Sequence, residues 1–184
     1  MTLLILGLIL WTFAHYFKRL APEARARLAD PGKGLVALAI LVSVVLMIFG
    51  YRWAEFIPVW SPPAFLTHVN NLLMVFALWV YGSSAAKGAK AWPASKIRHP
   101  QLTAVKIWAV AHLLVNGDVA SLLLFGGLLA WAVGSVILIN RAEPDWTPPA
   151  PAGSKTYIRL AVITVVMLVV ITGIHYALGV SPFA

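Results

Sequence analysis

A chain of 184 residues with 61% hydrophobic and only 11% charged residues, and a mean hydropathy of +0.87, does not have the composition of a water-soluble globule; it belongs in a bilayer. Fourteen Lys plus Arg against six Asp plus Glu give a net charge of +8, which on so apolar a chain reports membrane topology and makes a nucleic-acid partner unnecessary. The absence of cysteine excludes disulfides, iron–sulfur clusters, thiolate nucleophiles and covalent c-type haem attachment, and leaves histidine as the remaining strong soft-metal ligand.

The first apolar run covers Thr2 to Phe17; no Lys or Arg precedes it, so it lacks the basic start of a secretory signal and reads as a retained helix. Further runs cover Gly34 to Gly50, Phe65 to Gly82, Leu102 to Asn140 and Tyr157 to Leu178. The fourth, at 39 residues, is about twice what a ~30 Å hydrocarbon core needs at ~1.5 Å per residue. It must fold back. Asn116-Gly117-Asp118 is the only polar punctuation inside it, with Gly117 suited to a helix C-cap and Asp118 to an N-cap, so the run becomes a tight helical hairpin. The expected fold is all-α: one domain over residues 1–184, a polytopic bundle of six spans.

Basic residues orient the spans, because cytoplasmic loops retain Lys and Arg. Lys18, Arg19, Arg25, Arg27 and Lys33 fall in the first loop. Lys87, Lys90, Lys96 and Arg98 fall in the third, just before Lys106, and Arg141, Lys155 and Arg159 flank the fifth. With Arg52 alone opposite, both termini are expected on the periplasmic side. Trp53, Trp60 and Phe65 at one edge, and Trp79 and Tyr81 at the other, stand where interfacial aromatic belts form. The stretch Ala85 to Ala91 reads as a flexible connector, and Glu143 to Gly153, with Pro144, Pro148, Pro149 and Pro151, as an extended tether.

Ionisable groups at membrane depth are functional candidates by default. Counted from Leu102 at ~1.5 Å per residue, His112 lies ~15 Å deep, with Asn116 one turn on; its bland reading is a neutral imidazole bonded to a neighbouring helix. His15 stands near the inner end of the first span, with Trp11 one turn before it and Lys18 and Arg19 one turn after. His68, with Asn71 at i+3, and His175, with Thr172 at i−3, both fall near outer ends, where they can equally be interfacial; His99 lies in a loop. No HExxH spacing supports metal hydrolysis, and Ser43, Ser121 and Ser135 lack a nucleophile-elbow context. Haem asks for less: one or two neutral imidazoles from facing helices, an apolar slot and basic groups for the propionates.

The segment Arg98-His99-Pro100, then Lys106-Ile107-Trp108-Ala109-Val110-Ala111-His112, then Asn116-Gly117-Asp118 and Ala120-Ser121 through Phe125-Gly126, resembles the NnrU family of bacterial integral membrane proteins. The resemblance extends to His15, to Trp60-Ser61-Pro62-Pro63 followed by His68, and to His175 ahead of Gly179-Val180-Ser181-Pro182-Phe183, and so covers essentially the whole chain. It implies a multi-pass protein of the bacterial inner membrane, associated with denitrification, in particular with nitrite and nitric oxide reduction. The family is similar to the plant 15-cis-zeta-carotene isomerase, a haem b membrane enzyme. That similarity implies haem b on His15 and His112, for which Lys18, Arg19 and Arg98 on the cytosolic side could hold the propionates, while His68 and His175, both near the outer edge, are the alternative pair on geometry alone. It leaves open an accessory or nitric-oxide-responsive factor, a haem-dependent cis-trans isomerase of a lipophilic polyene, or a haem-free assembly or transport protein; a homo-oligomer is compatible with each. Arg98-His99-Pro100 is also similar to the isoprenylcysteine carboxyl methyltransferases, but Arg141-Ala142-Glu143-Pro144 departs from their further Arg and paired Glu.

Overall fold

The computed structural model describes residues 1–28 and 31–183; residues 29 and 30 of the first basic loop, and residue 184, lie outside them. The described residues are all-helical, without a strand: α1 (Thr2–Leu20), α2 (Pro22–Arg27), α3 (Pro31–Arg52), α4 (Leu66–Gly82), α5 (Pro100–Val115), α6 (Val119–Ala142) and α7 (Ser154–Ala177). α1, α3, α6 and α7 are long and apolar enough to cross a membrane; α4 and α5 are apolar but shorter, at 17 and 16 residues. The long fourth run does break at Asn116 to Asp118, into α5 and α6. The short α2 inside the first loop was not expected from sequence. Pro22 opens it, Glu23 occupies its first turn, and Arg25 and Arg27 lie in its last, each the charge that the helix dipole favours there.

The chain divides into two compact units, each drawing on separate stretches of sequence: residues 1–61 with 116–144, and residues 62–115 with 145–184. In the first, α1 packs on α3 and on α6. The α1–α3 contact is made by small residues, as is usual where lipid removes the hydrophobic drive between helices. A Cβ on Gly7 would lie 2.8 Å from Met47 Cγ and 2.9 Å from the Ser43 carbonyl oxygen, and one on Gly50 would meet the Leu4 backbone. Residue 4 beside 50 and residue 7 beside 47 make this pair antiparallel. By contrast Leu8 lies against Gly127, Trp11 and His15 against Trp131, and Tyr16 against Gly134, so α1 and α6 run parallel.

In the second unit α4 packs on α5 and α7. Gly82 faces Leu160 and Trp79 faces Tyr157, so the end of α4 meets the start of α7 and the two are antiparallel. The segment after α4 is tied down more than its composition suggests. Lys90 N–H donates to the Ala150 carbonyl (2.8 Å) and Ala152 N–H to the Lys90 carbonyl (2.9 Å), while the Lys90 ammonium donates to the carbonyls of Ser84 (2.8 Å) and Ala86. The proline-rich tether carries no helix, and this bridge pins its end. Large apolar side chains stay exposed along the helices, among them Ile9 and Phe13 on α1, Leu38 and Leu41 on α3, and Val165 and Val169 on α7. Such a surface suits hydrocarbon, not water.

Candidate functional site

The helix-borne histidines fall into two settings, one in each unit. In the first, His15 on α1 lies between two indoles, with ring centroids 4.1 Å from Trp11 and 4.9 Å from Trp131; the two tryptophans meet edge-on at 5.1 Å. Trp11 sits one turn before His15 on the same face, and Trp131 comes from the parallel α6. The Tyr16 hydroxyl donates to the Trp131 carbonyl at 2.7 Å and fixes the register of the two helices. The Nε1 atoms of Trp11 and Trp131 are both buried without an acceptor. Two orphaned donors beside one imidazole are an unusual expense at membrane depth, where nothing else offers to pair them.

Three histidines share one device. Nδ1 of His15, His112 and His175 lies 2.8, 2.9 and 2.8 Å from the carbonyl oxygen four residues earlier, on Trp11, Trp108 and Ile171. A carbonyl only accepts, so Nδ1 carries the proton and, in the neutral ring, Nε2 carries the lone pair. This is the tautomer in which a metal-ligating imidazole is held when a backbone carbonyl orients its other nitrogen.

In the second unit, His112 on α5 and His175 on α7 line one cavity of about 90 Å³ with Asn70, Asn71 and Met74 of α4. The structure therefore brings together one member of each expected pair. His15 belongs to the first unit, and His68 is exposed and does not line this cavity. Asn70 Nδ2 donates to Asn71 Oδ1 at 3.1 Å, whereas Asn70 Oδ1 is buried and finds no donor. Nothing in the sequence marked Asn70 or Met74 beyond their i, i+4 spacing on an apolar helix.

Of the basic residues expected near a haem, Arg19 donates to Glu143 Oε1 at 2.7 Å, Lys18 is exposed, and Arg98 belongs to the second unit. Among the described residues no three His, Cys, Asp or Glu gather as a metal cluster. Of the groups around His15, the imidazole with its Nδ1–H bonded to its own helix and the aromatic walls beside it fit haem b. The cavity beside His112 and His175 does not, since about 90 Å³ is well below the ~300–1,000 Å³ of sites that hold molecules of that size.

The hairpin carries a third polar group. Asp118 Oδ1 accepts from Ser121 N–H at 3.0 Å as the N-cap of α6, its Oδ2 accepts from the Ser121 hydroxyl at 2.5 Å, and the Tyr51 hydroxyl lies 2.9 Å from Ser121 Oγ. Ser121 has one proton and gives it to the carboxylate, so Tyr51 donates to Ser121. This chain, with a tyrosine where a hydrolase would need an imidazole, is a capping network; the sequence marked Asp118 for it and missed Tyr51.

Compared with known protein families, residues 3–182 match the family model described as NnrU protein. No curated relative and no solved structure matches the chain.

Proposed function

The chain belongs to the NnrU family, and from that premise we propose a six-span protein of the bacterial inner membrane that holds haem b through His15 and acts as an accessory, redox- or nitric-oxide-responsive factor in nitrite and nitric oxide metabolism. The observation that carries the haem reading is the setting of His15. Its Nδ1–H is spent on the Trp11 carbonyl, so Nε2 is the ligating atom, and the buried N–H groups of Trp11 and Trp131 wait for acceptors. Trp11 and Trp131 hold the imidazole plane and exclude water from it. Lys18, one turn on and exposed, is the cation for a propionate, while Arg19 would have to give up Glu143 to share that task. Bound haem supplies an iron that takes nitric oxide or an exchangeable axial ligand.

Helix directions support the span count. α3 runs against α1 and α6 runs with it, so an even number of crossings, none or two, separates α3 from α6 if α1, α3 and α6 span. α4 and α5, at about 25 Å each by rise per residue, supply two. With α7 the proposed total is six; on that count both termini share one face, and the basic loops favour reading it as the periplasmic one.

The test is the absorption spectrum of detergent-purified protein, oxidised and dithionite-reduced, beside His15→Ala and His112→Ala. A b-type spectrum lost in His15→Ala supports the reading. A colourless protein from haem-replete cells, or a spectrum lost in His112→Ala and intact in His15→Ala, removes it.

A further inference from the structure

Past its last turn, α7 closes in a Schellman motif. Gly179 stands in the left-handed region at φ +80°, its N–H donates to the Tyr176 carbonyl at 3.0 Å, and Val180 N–H donates to the His175 carbonyl at 3.0 Å. This cap turns the chain back on itself. Pro182 and Phe183 thereby join the wall of the second unit's cavity, with Met74, Leu168, Ile171 and His175.

The segment is held there lightly. Its hydrogen bonds run to the last turn of α7 or, from Phe183 N–H to Ser181 Oγ at 3.3 Å, stay within residues 179–183; none reaches α4 or α5. Side-chain packing of Pro182 and Phe183 keeps it on the cavity, and Phe183 is still 55% exposed. Lifting the segment thus forfeits only part of one aromatic burial and breaks no hydrogen bond to the neighbouring helices. The hinge is a single residue. A carbon added at Gly179 meets nothing within 4 Å, so its backbone angle alone calls for glycine.

The cavity beneath selects by charge and size. Its lining holds no Asp, Glu, Lys or Arg, so an entering ion would lose its hydration with no opposite charge in return. About 90 Å³ leaves room for a molecule of a few heavy atoms. We propose that residues 179–183 are a lid, hinged at Gly179, that controls the entry of small neutral molecules to this cavity. The lid goes beyond the haem reading and stands without it, because it uses the second unit alone.

The chain has no cysteine, so a single introduced thiol reports access without background. Met74→Cys puts one in the cavity wall, and His68→Cys puts one at an exposed position of α4 outside it. Each full-length protein in detergent micelles is treated with methyl methanethiosulfonate, which is small and neutral, and separately with its anionic sulfonatoethyl analogue; intact mass follows the adduct. With the neutral reagent, Met74→Cys is expected to react about tenfold more slowly than His68→Cys. Adding Phe183→Ala, or Gly179→Val, which the left-handed angle disfavours, is expected to raise the Met74→Cys rate about tenfold through a larger open population. Gly179→Asn, which tolerates that angle, is expected to keep the slow rate, and none of the three should alter His68→Cys. Scaled to its rate at His68→Cys, the anionic reagent is expected to lag the neutral one at Met74→Cys. Circular dichroism and gel filtration confirm that each variant is folded. The lid is overturned if Met74→Cys reacts as fast as His68→Cys, or if Phe183→Ala and Gly179→Val leave its rate unchanged. Selection for neutral molecules is overturned if the two reagents, so scaled, enter equally well.

Discussion

The carbonyl oxygen of Trp60 lies where a side chain on Gly117 would begin. The Gly117 carbonyl in turn accepts from both Val59 N–H (2.7 Å) and Trp60 N–H (3.1 Å), and Val119 N–H returns a bond to the Ile57 carbonyl at 3.0 Å. The segment before Ser61 is thus laid over the turn that starts α6, backbone on backbone. Gly117→Ala is expected to destabilise by about 1–3 kcal/mol, the usual cost of forcing atoms into packed space. Gly126→Ala, inside α6 with nothing within 4 Å of the added carbon, is expected to stabilise by about 0.5–1 kcal/mol. Thermal unfolding in detergent reads both; equal midpoints for the two variants would contradict the close approach.

A second prediction concerns Lys90. Its ammonium takes the carbonyls of Ser84 and Ala86 just past the end of α4, while its backbone holds Ala150 and Ala152. Lys90→Met removes the first set and keeps the second. Hydrogen bonds from a charged donor are worth about 1.5–3 kcal/mol where they are shielded, and this ammonium is only partly buried, so a loss of about 1 kcal/mol is expected. Limited proteolysis should then cut faster between residues 84 and 90 and at an unchanged rate near residue 150; faster cutting at both would mean that the side chain, not the backbone, carries the bridge.

These two contacts show how far the sequence could be read. The apolar runs gave the long helices because length and composition suffice for a span, and Asp118 was legible as an N-cap because its chemistry is local. Gly117 was expected to suit a helix C-cap, and it does follow α5 without a positive φ, which among the described glycines only Gly88 and Gly179 adopt; what needs a glycine there is the approach of Trp60, which lies 57 positions away and which no local pattern encodes. The same holds for the site. Helical spacing could place Trp11 beside His15, whereas Trp131 arrives from α6, and the sharing of one cavity by His112 and His175 depends on α4 joining α5 and α7. The i−4 carbonyl that fixes each imidazole tautomer is implicit in any helix, but which histidines use it is set by side-chain packing.

Trp131 offers a third test. Its indole packs against His15 while its N–H has no acceptor, so two substitutions should separate in the haem-free protein. Trp131→Phe keeps a ring and deletes the orphaned donor, relieving a penalty of about 1–3 kcal/mol that offsets the lost packing; a net change under about 1 kcal/mol is expected. Trp131→Ala opens a cavity and should cost about 3–5 kcal/mol. Denaturant unfolding in mixed micelles distinguishes them, and a Phe variant as unstable as the Ala variant would show that the N–H is paired in the folded protein.

The Tyr51–Ser121–Asp118 chain gives the last prediction, and it separates a network from a simple cap. If Asp118 only caps α6, Asp118→Ala costs about 0.5–2 kcal/mol whatever stands at position 51. In the chain described, Ser121 gives its proton to Asp118 and so must accept from Tyr51, which makes the two bonds depend on each other. Asp118 is 7% exposed, so water does little to replace a lost partner. Tyr51→Phe, Asp118→Ala and the double variant form a cycle in which a coupling of at least about 0.5 kcal/mol is expected. Additive losses would mean that Tyr51 touches Ser121 without polarising it, and the hairpin would then be held by its cap and by the Gly117 backbone alone.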